Sequence, residues 1–500
     1  MMFPPTPEPP PPPPEPSVDA EIVDYLNAPR KPGDAAHDQS LFLYGLIGTT
    51  ALVLYFAKSA HVDDPFHLYL GLIMLCLGCL PALLWAKGDA KPFPIFETFM
   101  LTTVNAYAIP LLSGHQQLGF YHPDTISTAA LGVILFQGCA IGCYLLVRAR
   151  PKRTPFWTDP IVTDKLSRYL SYGMALTSLY TLFSLFYRDL LFKFLPNETE
   201  GILRAAFFGI GIVATFLAAR RWGAGTIARP DLIFFVVNFV IQFILQCASL
   251  FLVGGISMIV LLLLGYVSAA RRVPFIALIL VLPLIAVLHN GKSALRAKYW
   301  NSDAPQIGVT DLPSFYAEWI QSGLQSHDDD ERQKGSTSKL LERTSLFHIM
   351  CLVVSVCPER QDYLYGETYK YIPGQFVPRF FWPDKPVGHI STNKLSRYFG
   401  LQTEEDTKTT TIGFGMLAEA YANFGFYGLG ALGLLVGTML KKVTTWGSES
   451  PLVSYGGLLL VVLIAWSFQV ELTLSIWLSS LFQACVAVLG VPMFVRSFGA

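Results

Sequence analysis

YIPGQFVPRFFWPDKPVGHISTNKLSRYFGLQTEEDTKTTTIGFGMLAEAYANFGFYGLG, residues 371–430, joins a segment rich in proline, tryptophan and charge directly to an apolar run. Its end must therefore lie where water meets a bilayer. In its first half Arg379, Asp384 and Lys385 stand among Pro373, Pro378, Pro383 and Pro386, whose fixed φ angles stiffen the loop that carries the charges. Two readings are open: a proline-rich turn with solvated charges, or a rigid mount for cations.

Composition sets the class. Hydrophobic residues make up 52% of the chain and charged residues only 14%, with a mean hydropathy of +0.44, so there is too little polar surface for a soluble protein of this length. The chain reads as all-α and polytopic in a membrane, with the bilayer as its first partner. The formal net charge is zero and no basic block with interleaved aromatics occurs, which excludes a nucleic-acid partner. Cys76, Cys79, Cys139, Cys143, Cys247 and Cys485 fall in apolar segments and read as packing residues. Cys351 and Cys357 lie outside those segments, and their state is open.

Residues 1–40 open with a polyproline tract that cannot pack a core and reads as a disordered cytoplasmic tail, with a proline-binding partner as the alternative. Apolar segments of spanning length follow at 41–57, 67–86, 93–112, 125–147, 169–187, 202–219, 232–252, 254–270 and 274–289, and, after a polar excursion, at 424–440, 452–470 and 472–495. The expectation is about twelve transmembrane helices. It divides the chain into a bundle over 41–289, a large loop over 290–411 and a C-terminal bundle over 412–500.

Lys and Arg in the short loops fix the orientation. Alternate loops carry Lys87 and Lys91; Arg148, Arg150, Lys152, Arg153 and Lys165; Arg220, Arg221 and Arg229; Arg271 and Arg272; Lys441 and Lys442, whereas the opposite ones hold only Lys58, Arg188 and Lys193. Both termini are thereby expected in the cytoplasm, and the loop 290–411 outside.

An ion-coupled transporter needs ionisable groups near the midplane. Glu97, Arg168, Arg204, Asp231, His289 and Glu471 all fall close to segment ends. Asn238, Gln242 and Gln246 form one polar stripe on a helix, read either as interhelical hydrogen bonding or as the lining of a sugar groove. The sequence holds no phosphate-binding loop, zinc-protease motif or serine-nucleophile motif. Chemistry would need a substrate that arrives already activated, with neither metal nor cofactor. Within the loop, residues 336–357 have helical spacing and an apolar stripe suited to the membrane surface, with Arg343 beside Glu342 at the polar start. Tyr, Phe and Trp crowd the next segment, as an interfacial belt or as platforms for sugar rings.

The order of these elements resembles that of bacterial oligosaccharide repeat-unit polymerases, the O-antigen polymerase (Wzy-type) family. The likeness rests on a hairpin ending in Arg271 and Arg272, the LLERTS and YGETY stretches, the PRFFWPDKP element, and EAYANFG leading into a helix. It implies a glycosyltransferase of the cytoplasmic membrane that joins polyprenyl-pyrophosphate-linked oligosaccharides, with a flippase and a chain-length regulator as candidate partners. A ligase of finished glycans is the alternative within that chemistry, and a flippase for lipid-linked sugars the alternative outside it.

Loss of a pyrophosphate leaving group calls for fixed cations, and Arg379, Lys385 and Arg343 are the candidates, with Asp384 orienting Lys385. The acceptor hydroxyl must lose a proton. His389 and Glu419, the latter at the mouth of a helix starting near Phe424, are the candidate bases. Trp382 and Asn423 complete the candidate substrate-binding set. Each also has an ordinary reading, as a solvated, interfacial or helix-bonding side chain.

Overall fold

The computed structural model describes residues 34–490 apart from 63, 89–93, 160–165, 194–199, 251, 271–273, 300–306, 332–344, 378–380, 383, 387 and 410. Every regular element among them is a helix. In chain order these are α1 (Asp34–Ser59), α2 (Pro65–Lys87), α3 (Ile95–Leu112), α4 (Pro123–Leu146), α5 (Leu166–Phe186), α6 (Glu200–Gly223), α7 (Arg229–Ala248), α8 (Leu252–Ala270) and α9 (Phe275–Tyr299). Then come α10 (Leu312–Glu331), α11 (Phe347–Val356), α12 (Ile390–Tyr398), α13 (Met416–Trp446), α14 (Tyr455–Trp466) and α15 (Leu474–Cys485).

Six of them, α1 to α4, α7 and α13, are long and apolar enough to cross a membrane. The expectation of about twelve spans also counted segments that fold as shorter apolar helices, such as Gly254–Ala270 and Tyr455–Trp466. The proline-rich tail falls outside the described residues, except that α1 begins at Asp34.

Local chemistry starts these helices where the chain must turn. Asp64 accepts a hydrogen bond from the Phe66 N–H at 2.8 Å, with Pro65 as the first residue of α2. Ser454 accepts from the Gly457 N–H at 3.2 Å at the start of α14. In α3 the helix widens over Val104–Ala108, and there the Ala106 carbonyl accepts the Leu346 N–H at 2.9 Å. That bond seats the entrance of α11 on α3.

The centre is the pair α4 and α13. A Cβ on Gly433 would stand 2.6 Å from the Phe136 carbonyl oxygen and one on Gly437 2.2 Å from that of Ala140, so the two backbones touch. Small residues four apart allow this approach, and the dispersion contacts it brings are the main attraction between helices in lipid. Gln137 on α4, fully buried, donates to the Met74 carbonyl at 3.2 Å and the Thr103 hydroxyl at 2.9 Å, which ties α2 and α3 to the pair.

Peripheral helices use the same devices. Ser178 donates to Asn238 Oδ1 at 2.8 Å, and the Gln242 amide reaches the Met174 carbonyl at 3.4 Å. The polar stripe of α7 therefore joins it to α5, and for these two residues interhelical bonding is what the structure shows. Gly291 and Gly323 let α9 and α10 pack backbone to backbone, and Trp319 donates its indole N–H to the Leu288 carbonyl at 2.6 Å. Lys298 and Glu318 close that hairpin at 2.7 Å.

Several expected boundaries move. The segment expected to end at 289 continues as helix to Tyr299. The described part of the 336–357 helix runs over Phe347–Val356, and its apolar residues Phe347, Met350 and Val353 are fully buried against α4 and α13 rather than laid on a membrane surface. The helix expected from about Phe424 is the piece of α13 that follows a break at Phe424 and Gly425, and a further helical piece from Met416 precedes it. Cys351 and Cys357 are buried free thiols.

Gly437→Ala should lower the thermal midpoint of the detergent-solubilised protein, because overpacking costs roughly 1–3 kcal/mol. Gly430→Ala on the same helix meets no atom within 4 Å and should hold or raise it. Equal midpoints would mean that α4 and α13 are not held by close backbone approach.

Candidate functional site

α13 is broken. At Phe424 (φ −144°) and Gly425 (φ +59°) the backbone leaves helical geometry. A Cβ on Gly425 would also collide with the Tyr363 hydroxyl at 2.7 Å, so only glycine fits both the dihedral and the space. The carbonyls of Ala422 and Asn423 accept instead from the N–H groups of Leu364 at 2.9 Å and Tyr365 at 3.1 Å. Residues 363–370 thus lie as a strap along the upper piece of α13.

Asn423 locks the strap in place. Its Oδ1 accepts from the Gly366 N–H at 2.9 Å, while its Nδ2 donates to the Thr368 hydroxyl at 2.9 Å and the Glu419 carbonyl at 2.8 Å. Both Asn423 and Thr368 are fully buried. With its amide committed inside the protein, Asn423 positions other groups and does not face a ligand as a substrate-binding residue would. Ser391 extends the network by donating to the Thr368 carbonyl at 2.9 Å, and Thr392 pairs with Thr473 at 3.2 Å.

Glu419 lies inside this frame, fully buried. The Leu474 N–H at the head of α15 donates to its Oε2 at 2.7 Å, whereas Oε1 has no hydrogen-bond partner among the described residues. A buried carboxylate oxygen left open in a polar frame is costly and calls for a ligand, a water or a proton to complete it. The Thr368 hydroxyl, whose oxygen accepts from Asn423, lies within hydrogen-bonding reach of the carboxyl and is the nearest group able to complete it. Burial, and after it the Glu419 charge, push the Tyr369 phenol above the ordinary tyrosine range, so Tyr369 belongs to the same site. Thr368 and Tyr369 escaped the sequence reading. The signal for them was the YGETY stretch, which there carried only a resemblance.

The remaining candidates have other surroundings or lie outside the described residues. Arg343 and Arg379 are among the undescribed residues. Lys385 donates to the Val377 carbonyl at 2.8 Å and to that of Gln375 at 3.4 Å, so its ammonium braces the proline-rich loop. Asp384 is exposed. Trp382 is also exposed and lies against Gly374, where a Cβ would come within 3.1 Å of the indole. His389 caps α12. Partial desolvation, and then the positive charge of Arg204 on α6, hold its imidazole below the usual histidine range. Arg204 is therefore near His389, although the sequence places it only at a segment end. Among the described residues no group of three His, Cys, Asp or Glu side chains is arranged to hold a metal.

A family model described as a domain of unknown function (DUF8712) matches residues 229–467. The matched stretch takes in α7 to α14 and includes the strap, Glu419 and Asn423, and it stops short of Leu474. No curated protein and no solved structure gave a match.

Asn423→Ala should destabilise the fold, since the Gly366 N–H and the Thr368 hydroxyl lose their partner and a buried unpaired group costs roughly 1–3 kcal/mol. Asn423→Asp keeps the acceptor for Gly366 but sets an oxygen against the Glu419 carbonyl in a buried site, so it should destabilise as well. A thermal melt of the two variants in detergent decides it: equal, undisturbed midpoints would show that the strap is held by something other than Asn423.

Proposed function

We propose that the chain is a membrane glycosyltransferase that joins polyprenyl-pyrophosphate-linked oligosaccharide units on the outer side of the bacterial cytoplasmic membrane. One observation carries the reading: the YGETY and EAYANFG stretches, whose likeness to repeat-unit polymerases is independent of any geometry, meet in space around an incompletely bonded carboxylate. Gly366 and Asn423, 57 residues apart, share a hydrogen bond at the centre of that site.

In this reaction the acceptor hydroxyl attacks the anomeric carbon of the donor glycan. The hydroxyl proton passes to Glu419 Oε1, the new glycosidic bond forms, and the bond from the sugar to the pyrophosphate oxygen breaks with its electron pair leaving on the phosphate. Leu474 N–H holds Oε2 so that Oε1 faces the acceptor. Cations offset the charge that develops on the leaving group. Arg379 is the lead candidate, and Lys385 acts by keeping its loop rigid. His389 is the alternative base.

About twelve spans, counting the shorter apolar helices, fit this reading. The basic residues of alternate loops then put both termini in the cytoplasm and Glu419 near the outer face. A cysteine at Ser326 should react with an impermeant maleimide in intact spheroplasts and one at Gly223 should not; the opposite labelling pattern would place the site on the wrong side for lipid-linked donors presented outside.

Glu419→Gln keeps the size of the side chain and removes the base, so polymerisation of lipid-linked repeat units should fall on the order of a hundredfold or more. The variant should remain folded by circular dichroism. Gene deletion should leave surface polysaccharide with a single repeat. Loss of export altogether would point to a transporter instead.

If His389 is the base, the acid limb of the activity profile follows its titration. Removing the nearby cation in Arg204→Gln raises the His389 pKa, so more of the imidazole is protonated at a given pH and the limb should move to higher pH. A limb unmoved by Arg204→Gln and abolished with Glu419→Gln leaves Glu419 as the base.

A further inference from the structure

Tyr365 and Leu250 are the non-glycine residues with positive φ among the described ones, at +45° and +60°. The left-handed region is unfavourable for a bulky L-residue, so each must be held there by something around it. For Leu250 that something is packing. Its side chain is 1% exposed in the small core beside α9 and α10, and its carbonyl accepts from the Arg296 guanidinium at 2.8 and 3.2 Å.

Tyr365 is 71% exposed, so no burial of its ring accounts for its backbone. The turn is closed by the Glu367 N–H on the Leu364 carbonyl at 2.9 Å and clamped by Asn423: the Asn423 carbonyl accepts the Tyr365 N–H at 3.1 Å and its side chain accepts the N–H of Gly366, itself at φ +88°, at 2.9 Å. A buried asparagine thus clamps two successive left-handed residues, and the result is an exposed tyrosine ring on the strap that carries Thr368 and Tyr369 to Glu419. Strain maintained where packing gains nothing marks a position under functional constraint.

The surroundings define what the ring is for. Tyr365 meets the edge of Tyr363 at 6.3 Å between centroids, Tyr363 meets Tyr421 at 6.1 Å, and Tyr421 meets Phe426 at 5.6 Å, each pair close to perpendicular. The row is buttressed at one end and leaves the ring of Tyr365 mostly exposed. Beside it, Glu367 is paired with Lys370 and Lys394. A flat aromatic face with a rim of hydrogen-bonding and charged groups suits a pyranose ring, which offers an apolar C–H face and peripheral hydroxyls. A hydrocarbon tail would leave that polar rim unused.

We infer that Tyr365 is a stacking platform for a sugar ring of the glycan, held out by the Asn423-clamped left-handed turn. This rests on the glycosyltransferase reading for its ligand class. The test uses the full chain in detergent and, as probe, repeat-unit oligosaccharide released by mild acid from the cell's own lipid-linked pool, with binding followed by calorimetry. Tyr365→Asn removes the ring and tolerates positive φ, as does Tyr365→Gly. Both should keep or raise the thermal midpoint while weakening sugar binding by about threefold to tenfold, the range one aromatic contact carries.

Tyr365→Trp keeps an aromatic face and should bind within about twofold of wild type. Unchanged affinity in Tyr365→Asn overturns the inference and leaves the ring as an interfacial anchor. A fall in midpoint for Tyr365→Gly as large as its fall in binding overturns it too, since the ring would then be structural. Failure of the wild type to bind the oligosaccharide removes this inference together with the reading beneath it, whereas binding without elongation of lipid-linked units overturns the polymerase reading alone.

Discussion

Backbone polar groups in an apolar surrounding must be satisfied within the protein. α13 breaks this continuity at Phe424 and Gly425, and the carbonyls of Ala422 and Asn423 then take their hydrogen bonds from Leu364 and Tyr365. The rest of the site follows from that exchange. The strap is drawn to the break because the break offers acceptors, Thr368 and Tyr369 are carried in beside Glu419, and Asn423 fills the remaining donor and acceptor positions. A continuous helix would have used those carbonyls itself and left the strap unattached.

The break is tolerable because its surroundings are rigid. Below it, Gly433 and Gly437 bring α13 onto α4 at backbone contact, and Gln137 binds α4 to α2 and α3. Above it, α11 fills the space between α4 and α13 with buried Phe347, Met350 and Val353. The head of α15 closes the remaining side through Leu474, whose N–H orients the Glu419 carboxyl. A group held by several elements at once keeps its geometry without help from a ligand, which is the condition for acting on one.

Charge is distributed unevenly around this frame. Glu419 is enclosed, whereas Glu367, Lys370 and Lys394 pair on the accessible side, and Lys385 is occupied with the carbonyls of its own loop. Ion pairs of that exposed kind contribute little to stability. In the proposed reading they form the polar rim around the exposed ring of Tyr365.

The sequence by itself determined the class and most of the helices. Apolar length and scarcity of charge are local quantities, so the membrane character and α2, α3, α4 and α7 were legible with boundaries close to those found. Cap residues such as Asp64 and Ser454 are equally local. The sequence also singled out Glu419 and Asn423, through a short motif beside an apolar run.

Tertiary structure alone decided what those residues do. That Asn423 clamps a strap and that α11 is buried instead of lying on a surface depend on partners tens of residues away, and even the bonds by which Lys385 braces its own loop span eight and ten residues; hydrogen-bond partners at such separations leave no periodicity to read. The left-handed backbone of Tyr365 was invisible for the same reason. The adjoining Gly366 and the local bond from the Glu367 N–H to the Leu364 carbonyl form the turn, and the two bonds to Asn423 clamp it against α13.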